Sequence, residues 1–366
     1  MPQSHARRRD ALRAILIKGD IDAALITNLI NVRYLSGFTG SNGGLLIRAD
    51  GADLFCTDGR YVTQSEAEVP DMQLLVGRGV APALIERAAG VGQLAYETHV
   101  VSVDEAAAMK KMAANLTLVS LNAAVEQLRA IKDDDEIELL RQAAAIGDQA
   151  LADLISHGGI KPGRTEREIS LDLDFRMLHL GAEEVSFETI VATGPNSAIP
   201  HHSPTDRVLE AGDLIKIDFG ATYLGYHSDM TRTYGVGSIS DWQREIYELV
   251  AHSQRAGSEA LEIGRTGQEI DTVSRDIIAA AGYGETFAHS LGHGVGLEVH
   301  EAPNLSQLAT TKLADRVCVT VEPGVYLPGR GGVRIEDTLV LHEDSSAPLR
   351  TRTDLLTTTS KDLVVL

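Results

Sequence analysis

Apolar positions in the first third of the chain switch between helical and strand spacing. The pattern predicts an amphipathic helix over residues 6–18 and a buried strand over Ile21–Thr27. After the glycine-punctuated loop Asn31–Ser41, an apolar strand is predicted over Gly44–Arg48, with further strands at Ala52–Thr57 and Gln93–Tyr96 and a helix at Asp104–Ala114. This alternation implies an α/β domain with its own sheet, covering residues 1–131.

Beyond that point the pattern changes. Asp133 to Glu136 form an acidic cluster at the start of a long helical pattern, where acids complement the helix dipole. The periodicity continues to about Ser156, and a second helix is predicted over Thr165–Leu180. Gly194–Pro204 reads as a loop, and further helices are expected near residues 241–261 and 267–281. Helix, helix and hairpin occur twice in this order. That suggests an α+β domain over residues 132–366 with an internal duplication, although the two halves show no evident sequence identity.

The two hairpins carry the chemistry. Asp218 lies in the strand pattern Leu214–Gly220 and Asp229 in Tyr226–Thr233, with a turn at Tyr223-Leu224-Gly225. Folding that hairpin about its midpoint is expected to set Asp218 opposite Asp229. Glu322 and Glu336 flank the turn Pro328–Gly332 and are expected to face each other in the same way. Opposed residues share a face of the sheet, with Cβ atoms about 4.5–5.5 Å apart. His293, in the glycine-rich stretch His289–Gly296, completes the set. Any one of these acids alone reads equally well as a solvated strand residue. Four on apolar strands would repel strongly and lose hydration unless cations compensate them. The expectation is a pair of divalent ions held by Asp218, Asp229, His293, Glu322 and Glu336. Four oxygen donors, one nitrogen and no thiolate favour Mn2+, with Co2+ or Zn2+ as alternatives. Two such ions activate a bridging water and polarise a carbonyl.

Composition narrows the field. A net charge of −19 opposes sequence-independent binding to nucleic acid or to an anionic membrane surface. The 366 residues, 43% of them hydrophobic, suffice for two ordinary cores. Arg7, Arg8 and Arg9 precede a segment too interrupted by charge for a signal sequence, and no stretch of about 18 apolar residues occurs. A cytoplasmic protein with no membrane partner is expected. Cys56 and Cys318 sit in apolar strand patterns and read as small core residues. The stretch His289–Gly296 lacks the Lys-Ser/Thr ending of a phosphate loop, and neither a Ser-His-Asp elbow nor an HExxH helix competes with the metal reading. His201 and His300 stand out because they flank the ligand segments.

Taken together, Ile217–Gly220, Ser228–Thr233, Gly292–Gly296, Val299–Pro303, Val321–Tyr326 and Val333–Asp337 resemble the motif series of the pita-bread metallopeptidases. Val185–Ser197 and the Pro200-His201 step match as well. Asn31–Ser41 and Thr57–Tyr61 resemble the creatinase-type N-terminal domain of the proline-specific branch, which comprises aminopeptidase P and prolidase. The resemblance implies that Asp218 chelates one metal, that Asp229 and Glu336 bridge both, and that His293 and Glu322 complete the other. Glu322 would also be the general base. His201 and His300 would hold the substrate carbonyl, Phe187 would contact substrate, and Arg334 and Tyr326 would brace the carboxylates. The implied substrate is a peptide with proline in second position, and a homodimer is implied by analogy. Prolidases of this type often carry an arginine after the motif at 300–303 to read the free carboxylate of a dipeptide; Asn304 stands there instead. An amide lacks the charged fork a carboxylate prefers, which favours an Xaa-Pro aminopeptidase, with Xaa-Pro dipeptidase as the alternative. The metal-free hydrolase chemistry of creatinase and a non-catalytic binding role are more remote; the complete acid set opposes both.

Overall fold

A computed structural model describes residues 2–113, 115–347 and 350–366, in two units divided between Arg129 and Ala130. Ala114, where the sequence pattern ends one helix, lies outside the described residues.

The first unit is built on a six-stranded mixed sheet in the spatial order Gln73–Val76, Leu54–Thr57, Gly43–Arg48, Ala23–Ile26, Gln93–Tyr96, Thr117–Ser120. Ala23–Ile26 is buried throughout, antiparallel to Gly43–Arg48 and parallel to Gln93–Tyr96. The two edge strands escaped the sequence pattern because they are partly exposed and show no buried apolar run. A helix, Leu29–Ser36, stands where a loop over Asn31–Ser41 was expected. The Asn28 side chain caps it by accepting from Ile30 N at 3.0 Å, and Gly37, at φ 84°, ends it. Its Asn31 is buried and donates to Glu97 and Glu126 at 2.7 and 2.6 Å, so a polar residue occupies a core position and breaks the apolar period.

The second unit has two halves with a core each. In the first, helices Asp134–Ser156 and Glu166–His179 share a core with strands Ile190–Thr193, Leu214–Phe219 and Met230–Gly235. In the second, helices Asp241–Glu259 and Gly267–Ala280 pack with a five-stranded sheet ordered Glu301–Leu305, Gly292–Gly294, Cys318–Val321, Asp337–Glu343, Thr351–Leu355. The duplication is visible residue by residue. Gly163-Arg164-Thr165 and Gly264-Arg265-Thr266 each open the second helix of a half. Both glycines sit at φ 95°, both threonines cap in a box closed by Glu168 or Glu269, and both arginines donate to two backbone carbonyls.

The first hairpin corrects the expected register. Its turn is the two-residue step Leu224-Gly225, both at positive φ (46° and 79°), closed by the pair Tyr223–Tyr226. Asp218 therefore lies opposite Thr231, and Asp229 is offset along the strand. In the second hairpin, Val321 opposes Asp337 and Gly324 opposes Arg334, a register that carries Glu322 to the level of Glu336. A tail over residues 357–366 closes the unit: Arg232 donates to Thr359 O, Lys361 pairs with the buried Asp337, and Leu366 N donates to Gly235 O at 2.9 Å.

Between the two acids of the first hairpin the strands come unusually close. A Cβ on Gly220 would lie 1.8 Å from the Ser228 carbonyl oxygen. Gly220→Ala is expected to destabilise the protein by about 1–3 kcal/mol or more, because backbone must move. Gly59→Ala, with nothing within 4 Å of the new Cβ, is expected to leave denaturant unfolding unchanged.

Candidate metal centre

Nine of the site residues expected from sequence line one cavity of about 450 Å³ in the second unit: Phe187, His201, Asp218, Asp229, His293, His300, Glu322, Arg334 and Glu336. Asp218 is the last residue but one of its strand, beside the close approach at Gly220, and Asp229 immediately precedes the return strand Met230–Gly235. His293 sits at the centre of the short strand Gly292–Gly294, where bare glycines on both sides let neighbouring backbone come within contact. Glu322 and Glu336 lie just beyond strands Cys318–Val321 and Gly331–Arg334. His201 and His300 are exposed at the mouth, whereas Asp218, Asp229, His293 and Glu336 are buried.

Ligand-type atoms of Asp229, His293 and Glu336 all lie within 4.8 Å of one another. His293 Nδ1 faces the Gly294 carbonyl at 3.0 Å; a carbonyl only accepts, so Nδ1 carries the proton. Nε2 is left with its lone pair, 3.4 Å from Glu322 and 3.6 Å from Asp229. Arg334 pairs with Asp218 Oδ2, while the buried Oδ1 of Asp218 has no hydrogen-bond partner. Arg334 does not touch Glu336; it donates to Thr231 Oγ1 at 3.0 Å, and Thr231 donates to Glu336 at 2.7 Å. Thr231 was missed by sequence reasoning, and its signal was its place two residues after Asp229. Arg334 also donates to Tyr326 OH at 2.8 Å, which in turn meets His289 Nε2 at 2.9 Å. Glu188, Ser290, Val299 and Asn304 contribute to the wall.

The electrostatics are those of an anionic cage. Burial raises the carboxyls of Asp229, Glu322 and Glu336 well above the usual carboxylate range; neighbouring acids add to this and Arg334 opposes it. Burial pushes His293 down to about 4 and His289 to about 3. An orphaned buried carboxylate oxygen, mutually repelling acids and a neutral imidazole with a free lone pair all fit divalent cations.

The sequence of residues 138–343 matches the model of metallopeptidase family M24, and residues 8–131 match the Creatinase/Prolidase N-terminal domain. The chain belongs to family M24 and is a metal-dependent peptide hydrolase with a creatinase-type N-terminal domain. It is 37% identical over 354 residues to an Xaa-Pro dipeptidase of Pyrococcus furiosus, covering 95% of this chain and 99% of the relative. An Xaa-Pro dipeptidase structure from Bacillus anthracis superposes with TM-score 0.92 at 38% identity, covering 99% of this chain and 100% of the other. An X-Pro aminopeptidase structure from Thermotoga maritima superposes with TM-score 0.87 at 37% identity, covering 95% and 98%.

The raised carboxyls set a pH dependence. Above about pH 7.5, a unit beyond the ordinary histidine value of 6.5, the depressed imidazoles are almost wholly neutral in the folded and unfolded states alike, so the acids dominate. Their folded-state affinities for protons exceed the unfolded ones, so raising pH favours unfolding. Metal-free protein should therefore melt at lower temperature at pH 8.5 than at pH 7.5. Divalent ion should remove that slope, and Glu336→Gln should reduce it; thermal melts in chelator and in added Mn2+ check this.

Proposed function

We propose that the chain hydrolyses Xaa-Pro dipeptides. The observation that carries this reading is similarity over nearly the full length to Xaa-Pro dipeptidases, in sequence and in fold, together with a cavity lined by nine of the expected site residues. Those relatives favour the dipeptidase over the aminopeptidase expected from Asn304. A second reading, release of the first residue from longer Xaa-Pro peptides, keeps its support from Asn304, which lines the cavity without a charge. Among the described residues, Arg334 is the one arginine or lysine in that wall, and it is already paired with Asp218.

In this reading Asp218, Asp229, His293, Glu322 and Glu336 hold two divalent ions, with Mn2+ favoured by the donor set. The ions supply Lewis-acid polarisation and lower the pKa of water. Glu322 takes the proton of the attacking water and returns it to the proline nitrogen as the bond breaks. His201 and His300, at the mouth, donate to the substrate carbonyl oxygen as negative charge develops there. Phe187 and Ile190 offer apolar wall to the pyrrolidine ring. Arg334 fixes Asp218 directly and Glu336 through Thr231. The homodimer belongs to the same proposal, with size-exclusion chromatography as its check.

An Xaa-Pro dipeptide should be cleaved faster than Xaa-Pro-Yaa in Mn2+, and a preference for the tripeptide would return the aminopeptidase reading. Asp229→Ala should abolish both activities. His201→Ala should lower kcat by about 100- to 1000-fold, the cost of removing one donor to a developing oxyanion.

A further inference from the structure

We propose that Glu166 is the positioning residue for His201, holding the segment that carries it against the start of the helix Glu166–His179. The inference rests on the reading of His201 as a group that touches the substrate carbonyl.

An acid at a helix start is ordinarily explained by the dipole or by capping. Neither accounts for Glu166. The cap belongs to its neighbours: Glu168 N donates to Thr165 Oγ1 at 3.1 Å and Thr165 N donates to Glu168 at 2.9 Å. Glu166 is fully buried, and among the described residues all its donors come from the segment 193–205. Oε1 accepts from Thr193 N at 2.8 Å, Thr193 Oγ1 at 3.0 Å and Asn196 Nδ2 at 2.9 Å. Oε2 accepts from His202 Nε2 at 2.8 Å, Thr205 N at 3.0 Å and Thr205 Oγ1 at 2.6 Å. Each oxygen thus takes three donors, an arrangement only a carboxylate can satisfy. Burial opposes its charge, yet these donors hold the carboxyl down to about 2, so the anchor stays ionised.

His201 lies between two such anchors. On one side its neighbour His202 is bound to Glu166. On the other, the carbonyl of Pro200 accepts from Lys216 Nζ and from Arg334 Nη1, both at 3.2 Å. The backbone is held before and after residue 201, and the imidazole itself remains exposed at the cavity mouth.

The duplication gives an independent comparison. The residue after the capping threonine is Glu166 in one half and Gly267 in the other. A Cβ on Gly267 would come 2.1 Å from the Asn304 carbonyl oxygen. The second half therefore seats the strand following His300 by direct backbone contact, where the first half uses a carboxylate to reach a more distant loop. In both halves this one position supports the segment bearing a histidine of the cavity mouth.

The test is a double-mutant cycle on Xaa-Pro dipeptide hydrolysis by the Mn2+-loaded full chain, combining Glu166→Gln with His201→Ala. Misplacing His201 should lower kcat by about 10- to 100-fold in Glu166→Gln with KM changed by less than about threefold. In the His201→Ala background the same change should cost less than about threefold, because there is no imidazole left to misplace. Bound Mn2+ should be unchanged, since Glu166 touches none of the acids of the cage. Equal losses in both backgrounds would overturn the inference while leaving the role of His201 intact. A silent His201→Ala would overturn the site reading and the inference with it. If Glu166→Gln does not fold, Thr205→Val removes one donor to Oε2 and is read in the same cycle, with the same two outcomes.

Discussion

Asp218, Asp229, Glu322 and Glu336 face one another across a cavity with Arg334 as their fixed cation, and Arg334 is already engaged with Asp218. Left to themselves, four carboxylates at this spacing would push the hairpins apart or take up protons. The remainder of the second unit opposes that tendency. Two halves with separate cores are each stiffened by capped helices, and each holds a hairpin whose acids are fixed by backbone register rather than by flexible side chains. Divalent cations held there would relieve that repulsion, which would couple metal affinity to fold stability.

Charge is managed in a second layer behind the acids. Arg232 and Asp337 form a pair with almost no solvent exposure, and Arg232 also donates to the carbonyl of Glu336 at 2.5 Å. Lys216 is buried beneath the mouth, its Nζ shared between the carbonyls of Ile199 and Pro200 and 5.1 Å from the Tyr326 ring. Such groups are costly to bury alone and are tolerated because each has geometrically satisfied partners. They turn the backbone around the cage into a rigid frame.

Much of the site was legible in the sequence because its residues break local rules. Acids in apolar strands and glycines around His293 have no cheap structural explanation, and all nine expected residues line one cavity. The register of the first hairpin was not legible: pairing Asp218 with Asp229 sets the midpoint of the hairpin one residue too early, whereas the turn falls at Leu224-Gly225 and brings Thr231 opposite Asp218. The helix Leu29–Ser36 was hidden by its buried Asn31 and its terminal Gly37, and the edge strands of the first sheet by their exposure. Glu166 was invisible for the opposite reason. An acid at a helix start is so ordinary that only its long-range partners reveal it.

The tail over residues 357–366 bears on how the protein comes into being. Arg232 and Asp337 flank the cage, and they gain their last partners, Thr359 and Lys361, from this stretch. On a ribosome adding about 5–20 residues per second, the hairpin bearing Asp218 and Asp229 emerges on the order of ten seconds before those partners. During that interval the nascent chain carries Asp218 and Asp229 without the frame that fixes them. The frame around the acids is therefore closed only by residues made more than a hundred positions after Asp218 and Asp229.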